Sequence, residues 1–363
     1  MNRRPFIKLA VGASLASVYS KAQEPAAAPK KLGWALVGLG SLSKNQIAPA
    51  LLKCEHSKLA AVVTGTPAKG AEWREKYGLT EKQVYSYETF DKLIEDKDVD
   101  VVYIVLPNSM HHEYVIRAAK AGKHVFCEKP MANTAKECRE MIAACEKANV
   151  KLGVAYRCQF EPHHLEAIRF AREKVFGAVK HVNAEFGFKI GDPTQWRLRK
   201  NLAGGGALMD VGVYALNACR YLTGEEPVEI SALETKTDPV KFAEVDETIT
   251  WQMKFASGAT ANCLTTYNFN GANNFTVTAE KGRFGMGPAY GYSGQKGWTS
   301  DPKVPFEFPA TDHFVLEMDA FSKAIIESKP FAPSGEEGLR DLLAVEAIYK
   351  SVKSGKAEKV EAV

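Results

Sequence analysis

Two hydrophobic patterns alternate along the first half of the chain. Gly33-Trp34-Ala35-Leu36-Val37-Gly38 is a continuous apolar run bounded by glycine, which predicts a buried strand. Similar runs recur at 59–63, 99–106, 124–127 and 151–155, with helical patterns between them at 45–52, 71–77, 88–95, 111–121 and 134–148. This alternation predicts a doubly wound parallel sheet over residues 32–155, with ligands at the C-terminal ends of the strands. After Tyr156 the character changes. Residues 161–175 carry Leu165 and Ile168 at helical spacing, and Gly204-Gly205-Gly206 opens a helix over 207–222. Ile249, Trp251, Met253 and Phe255 then alternate, turn at Ser257-Gly258 and return as Ala259, Ala261 and Cys263, an antiparallel hairpin with one buried face. Helices at 313–328 and 336–353 close the chain. The expected fold class is α/β followed by α+β, the second domain (156–363) standing on an open, mostly antiparallel sheet.

Composition narrows the picture. A length of 363 residues fits two domains, and 45% apolar with 25% charged residues fits an ordinary globular protein. The net charge of +4 is spread without basic runs, so no nucleic-acid surface is expected. Seven cysteines, odd in number and never in a C-x-x-C pair, argue against a disulfide framework and against a metal site. Asn2-Arg3-Arg4-Pro5-Phe6-Ile7-Lys8, a weakly apolar run to Tyr19 and the small residues Ser20 and Ala22 predict a signal peptide over 1–22. Its paired arginines fit the twin-arginine route, which exports folded proteins to the periplasm. The apolar run is too short to span a membrane, and 23–31 reads as a flexible arm.

Candidate chemistry sits at the predicted strand ends. Gly38 permits a tight turn and Gly40 lets a pyrophosphate approach the backbone at a helix start, although Ser43 stands where a third glycine is usual. The second strand ends at Thr64 instead of an acidic residue, and Lys69 follows, which favours NADP over NAD. Asn108, His111 and Glu128-Lys129 also lie at strand ends. Pro130 restricts the residue before it to extended geometry, which aims Lys129. Asp210 and Tyr214, four apart on one helix, share a face.

Several long segments carry a family resemblance. They include Leu106-Pro107-Asn108-Ser109-Met110-His111, Gly122-Lys123-His124-Val125-Phe126-Cys127-Glu128-Lys129-Pro130-Met131, Gly153-Val154-Ala155-Tyr156-Arg157-Cys158, Gln195-Trp196-Arg197-Leu198-Arg199 and Ala203-Gly204-Gly205-Gly206-Ala207-Leu208-Met209-Asp210-Val211-Gly212-Val213-Tyr214. With these the chain resembles the Gfo/Idh/MocA oxidoreductase superfamily, and within it the glucose–fructose oxidoreductase branch, whose members look like this chain in carrying Tyr at position 214.

The resemblance implies a Rossmann NADP-binding domain with Ser41 and Leu42 at the pyrophosphate and Thr64 and Lys69 at the 2′-phosphate. Tyr87, Leu106, Asn108, His111, Glu128, Lys129 and Arg157 are implied at the ribose and nicotinamide. Trp196, Arg197 and Tyr292 are implied to reach across from the second domain. Tyr214 is then the expected proton relay, because hydride cannot leave a sugar C1–OH unless the hydroxyl proton also leaves. An unperturbed phenol titrates near ~10, so Lys129 is expected to lower that value as well as position the sugar. Asp210 is expected to hold the substrate or orient Lys129. The implied activity is periplasmic and NADP-dependent: an aldose such as glucose is oxidised at C1 to the lactone, and the hydride passes to a second sugar such as fructose. An aldose dehydrogenase exchanging NADP(H), an NAD-dependent glycosidase and a noncatalytic NADP-binding protein are the alternatives. The open sheet implies a homodimer or homotetramer.

Overall fold

A computed structural model describes residues 30–363. The expected signal at 1–22 and all but the end of the expected arm at 23–31 lie outside the described residues. The first sheet holds β1 (Leu32–Val37), β2 (Ser57–Val63), β3 (Val84–Tyr85), β4 (Val101–Ile104), β5 (His124–Glu128) and β6 (Leu152–Ala155). Their order is β3-β2-β1-β4-β5-β6 and every pairing is parallel.

The apolar runs are continuous because both faces of this sheet are covered. Ala35 and Val37 of β1 pack toward Val115 and Met141 of the helices Asn108–Lys120 and Ala135–Lys147. Trp34 and Leu36 face the opposite way, toward Trp73, Met318 and Phe321. Trp34 meets Tyr103 and Phe126 edge-on at 5.8 and 5.5 Å, and its Nε1 donates to Ser322 Oγ at 3.0 Å. Phe321 and Ser322 belong to the helix His313–Ile326, so the far end of the chain returns to cover the first sheet.

The second sheet comprises β7 (Val179–Gly187), β8 (Pro227–Thr235), β9 (Thr248–Phe255), β10 (Thr260–Thr266), β11 (Asn273–Ala279), β12 (Gly282–Met286), β13 (Gly297–Thr299) and β14 (Glu358–Lys359). They run in the order β13-β12-β11-β7-β10-β9-β8-β14, antiparallel throughout except where β7 meets β10. Ile249, Trp251, Met253 and Phe255 are buried while Thr250, Gln252 and Lys254 are exposed, the alternation expected of a sheet covered on one face. The covering elements are the helix Val213–Thr223, against β7, and the helix Gly335–Ser354, against β8.

The expected hairpin is β9–β10. Most helices begin and end near their expected bounds, but the one expected over 71–77 already starts at Pro67 and the one expected over 88–95 is a 3₁₀ segment, Phe90–Glu95; two further differences are informative. The helix expected from 111 starts at Asn108, directly after Pro107. The helix expected over 207–222 opens as a wide π turn, Leu208–Gly212, before becoming α-helical at Val213. Such turns concentrate at functional positions, and this one carries Asp210.

Candidate active site

Lys129 leaves the tip of β5 and points at the opening of the Tyr214 helix. Its Nζ donates to the Asp210 main-chain oxygen at 2.6 Å and lies 3.5 Å from Asp210 Oδ1 and 4.8 Å from the centre of the Tyr214 ring. The amine, the carboxylate and the phenol therefore converge. Asp210 Oδ2 accepts from Arg197 Nε at 3.0 Å and from Tyr267 Oη at 2.9 Å. Burial alone would raise the Asp210 carboxyl, but the charges of Arg197 and Lys129 outweigh it and hold the group below its usual range.

Asp246 fixes the start of this helix. Its two oxygens accept from the main-chain N–H of Gly206 at 2.7 Å and of Leu208 at 2.8 Å, and Tyr349 Oη donates to it at 2.7 Å. A Cβ on Gly206 would lie 2.0 Å from the Asp246 carbonyl oxygen, so only glycine fits here. Neither Asp246 nor Tyr267 stood among the sequence candidates. Tyr267 lies 57 residues from Asp210 in sequence, and no periodicity connects them.

Arg157 follows β6. Its Nε donates to Tyr214 Oη at 3.2 Å, its Nη1 to the Gly291 oxygen at 3.0 Å and its Nη2 to the Tyr290 oxygen at 2.5 Å. The guanidinium lies between two phenol rings, 4.9 Å from that of Tyr214 and 4.8 Å from that of Tyr292. Burial pushes the Tyr214 phenol well above its ordinary value, and the Arg157 charge only partly offsets this. The lowered Tyr214 pKa expected from Lys129 is thus corrected: Lys129 lies over the ring face, Arg157 holds the oxygen, and the phenol stays protonated at neutral pH.

The dinucleotide end can be tested on its own geometry. Gly38 has φ +93°, and a Cβ there would lie 2.3 Å from the Val105 oxygen, so the turn requires glycine. Gly40 faces open space, where a Cβ would meet nothing within 4 Å, and helical backbone begins at Ser41. These residues fit a pyrophosphate approaching the backbone at a helix start. Ser43 replaces the usual third glycine and is fully buried, donating from Oγ to the Gly38 oxygen at 2.6 Å. At the tip of β2, Thr64 is buried and accepts from the Thr66 N–H at 3.2 Å, while Lys69 is exposed on the first turn of the helix Pro67–Tyr77.

Residues 32–156 match the family model described as an oxidoreductase family with an NAD-binding Rossmann fold, and residues 164–285 match the GFO/IDH/MocA C-terminal domain. The chain belongs to the Gfo/Idh/MocA oxidoreductase family. It is similar to the crystal structure of aldose-aldose oxidoreductase from Caulobacter crescentus complexed with glycerol, at 46% identity and TM-score 0.88, covering 91% of this chain and 100% of that one. A levoglucosan dehydrogenase structure with NADH and levoglucosan follows at 25% identity and TM-score 0.80, covering 92% of this chain and 100% of that one. D-xylose 1-dehydrogenase (NADP(+)) 2 of Haloferax volcanii is 29% identical over 332 residues, which span 90% of this chain and 99% of the relative.

The remaining candidates divide by what they touch. His111 is buried, with Nδ1 3.0 Å from the Pro130 oxygen and Nε2 2.9 Å from the Leu106 oxygen. Burial lowers its pKa, and a ring carrying a single N–H can donate to only one of these two carbonyls. Asn108 is also buried and donates to the Ala203 oxygen at 2.8 Å, which ties its strand end to the glycine loop of the second half. Leu106 is buried beside Gly38.

Glu128 accepts from Tyr103 Oη at 2.7 Å, and burial raises its pKa despite Lys129. Tyr87 lies against Gly65, beside the Thr64 turn and close to the position implied for a 2′-phosphate. Ser41 is exposed and accepts from Asn45 Nδ2 at 3.0 Å, with Leu42 half-buried beside it. Trp196 is half-buried, its ring 4.6 Å from the Arg197 guanidinium, and Tyr292 is 50% exposed at the rim.

Proposed function

We propose that this oxidoreductase acts on sugars with NADP, oxidising an aldose at C1 to the lactone and returning the hydride to a second sugar carbonyl such as that of fructose. The carrying observation is the convergence of Lys129, Asp210 and Tyr214, with Arg157 on the Tyr214 oxygen. The relatives' names, an aldose–aldose oxidoreductase and an NADP-dependent xylose dehydrogenase, support the substrate class and the cofactor. Thr64 and Lys69, with no acidic side chain at the end of β2, support NADP in the same sense.

NADP, when bound, supplies the acceptor and donor of hydride. Gly38, Gly40, Ser41 and Leu42 would hold its pyrophosphate, and Thr64 and Lys69 its 2′-phosphate. Lys129 would donate a hydrogen bond to the reacting sugar oxygen, and Asp210 keeps that ammonium in place. Tyr214, protonated at rest, gives its proton to a sugar carbonyl in the reducing half. For the oxidising half the phenol first releases its proton to solvent, and the phenolate, which the Arg157 charge favours, then takes the C1–OH proton. Export in folded form, expected from Arg3-Arg4, belongs to this reading because it would carry a loaded enzyme into the periplasm. A homodimer or homotetramer belongs to it as well.

The test is the near-ultraviolet absorbance of the purified chain loaded with one equivalent of NADP. Glucose should raise a reduced-nicotinamide band, and fructose should abolish it without added cofactor. No band with any aldose overturns the proposal. A band that fructose leaves in place and that grows when free NADP is added with more glucose assigns the second reading, an NADP(H)-exchanging aldose dehydrogenase, which the match to xylose dehydrogenases favours.

A further inference from the structure

A cavity of ≈ 30 Å³ lies behind the Tyr214 ring, between the helix Val213–Thr223, the helix Pro162–Arg172 and β11. It has room for one or two molecules the size of water. Tyr156, Cys158, His164, Phe275 and Tyr290 are among the residues on its wall. Three polar atoms of these residues are buried without a partner: Tyr156 Oη, His164 Nε2 and Tyr290 Oη. Buried polar atoms are rarely left so, and each calls for an explanation.

His164 is rigidly oriented. Its Nδ1 lies 3.0 Å from Glu161 Oε2, its main-chain N–H donates to the same oxygen at 2.9 Å, and Glu161 Oε1 lies 2.8 Å from His163 Nδ1. Glu161 is only 3% exposed. The other ring nitrogen of His164 is left free on a cavity wall shared with the Cys158 thiol. A carboxylate that orients an imidazole next to a thiol is the arrangement that activates cysteine nucleophiles. Burial works against the Cys158 thiolate, yet the charges of His164 and Arg157 outweigh it and bring the thiol below its ordinary value. In contrast, burial pushes up the thiols of Cys54, Cys127, Cys138, Cys145 and Cys263.

We propose that Cys158 is a peroxide-reactive thiol, held by Glu161 and His164 in the cavity behind Tyr214. The sulfur attacks one oxygen of hydrogen peroxide, an S–O bond forms and the O–O bond breaks. The departing hydroxide takes the His164 proton and leaves as water. Sulfur loses two electrons to become a sulfenic acid, and peroxide gains them. The new hydroxyl occupies the cavity, where the unpartnered Tyr290 hydroxyl is free to bond it. The cavity's size favours peroxide over bulkier oxidants. This inference is independent of which sugar the site turns over.

The test treats the full chain with dilute hydrogen peroxide, quenches it, unfolds it in the presence of dimedone and locates the adduct by mass spectrometry. Cys158 should be labelled about tenfold faster than any other cysteine, and dithiothreitol applied before dimedone should remove the signal. His164→Gln should slow Cys158 labelling toward the rate of the other thiols. Equal labelling of Cys158 and Cys127 in the unsubstituted protein overturns the proposal, as does unchanged labelling in His164→Gln. The adduct is read without turnover, so its absence says nothing against the sugar chemistry, and a failed sugar assay says nothing against the thiol.

Discussion

Arg157 Nε donates to Tyr214 Oη at 3.2 Å while the same guanidinium is clamped by the main-chain oxygens of Tyr290 and Gly291. One cation therefore fixes the position of the phenol oxygen and partly offsets the rise in its proton affinity that burial causes. Lysine carries the charge but cannot make these contacts at once. Arg157→Lys should lower kcat about 100-fold. It should also move the onset of aldose oxidation to higher pH, because the phenolate loses a contact that favours it. A stopped-flow pH profile of nicotinamide reduction checks this, and an unmoved profile leaves Arg157 a packing part only.

Removing the Tyr214 hydroxyl tests the relay itself. Tyr214→Phe should reduce kcat by about 10²–10⁴-fold, with NADP affinity nearly unchanged. The Arg157 N–H then loses its partner in a buried setting, which should cost about 1–3 kcal/mol of stability. Single-turnover absorbance and urea unfolding measure the two effects separately. Full turnover in this variant would remove the phenol from the mechanism.

How much of this site was legible beforehand depends on the range of each interaction. Lys129 was legible because a strand delivers it, and Asp210 with Tyr214 because a helix places residues four apart together. The β9–β10 hairpin was legible from Ile249, Trp251, Met253 and Phe255. In β8, by contrast, Pro227 and Ile230 are the buried positions, so its alternation is too weak to read. The carbonyls that clamp Arg157 lie more than a hundred residues away, and their role follows from tertiary packing alone. Likewise, no local pattern announces that Asp246 caps the Asp210 turn.

Acid stability should depend on Glu161. Burial would raise its carboxyl, but bonds from His164 and His163 outweigh that and bring it down to about 2. An unfolded glutamate titrates near ~4.3. Its native contacts therefore stabilise the fold fully above that value, and the contribution disappears as pH falls toward the lowered native value. Glu161→Gln should melt below the unsubstituted protein at roughly pH 6, with the gap closing toward roughly pH 3. A series of melting curves across this range checks the sign.

The Ser43 hydroxyl holds the glycine turn through its 2.6 Å bond to the Gly38 oxygen. Ser43→Gly restores the more usual glycine but deletes that buried bond. Stability should fall by about 1 kcal/mol, with little change in NADP affinity, since the groups that would meet the pyrophosphate are at Gly40, Ser41 and Leu42. Urea unfolding with a fluorescence titration of NADPH separates the two. A large loss of affinity would mean that Ser43 itself reaches the cofactor.

Cofactor choice turns on the end of β2. Thr64 is neutral and buried there, and Lys69 stands exposed at the start of the next helix. A 2′-phosphate brings negative charge to this corner, so a carboxylate at 64 would repel it and accept from a ribose hydroxyl instead. Thr64→Asp should weaken NADP by at least about tenfold, because like charges set side by side cost several kcal/mol, while NAD binding should hold or improve. Lys69→Ala should weaken NADP alone, and more at low salt than at high, since the lost attraction is an exposed one that ions screen. Titrations with both nucleotides at two ionic strengths decide the matter. If Thr64→Asp left the ratio of the two affinities where it began, the 2′-phosphate would have to be sought elsewhere, with Tyr87 beside the same turn the first place to look.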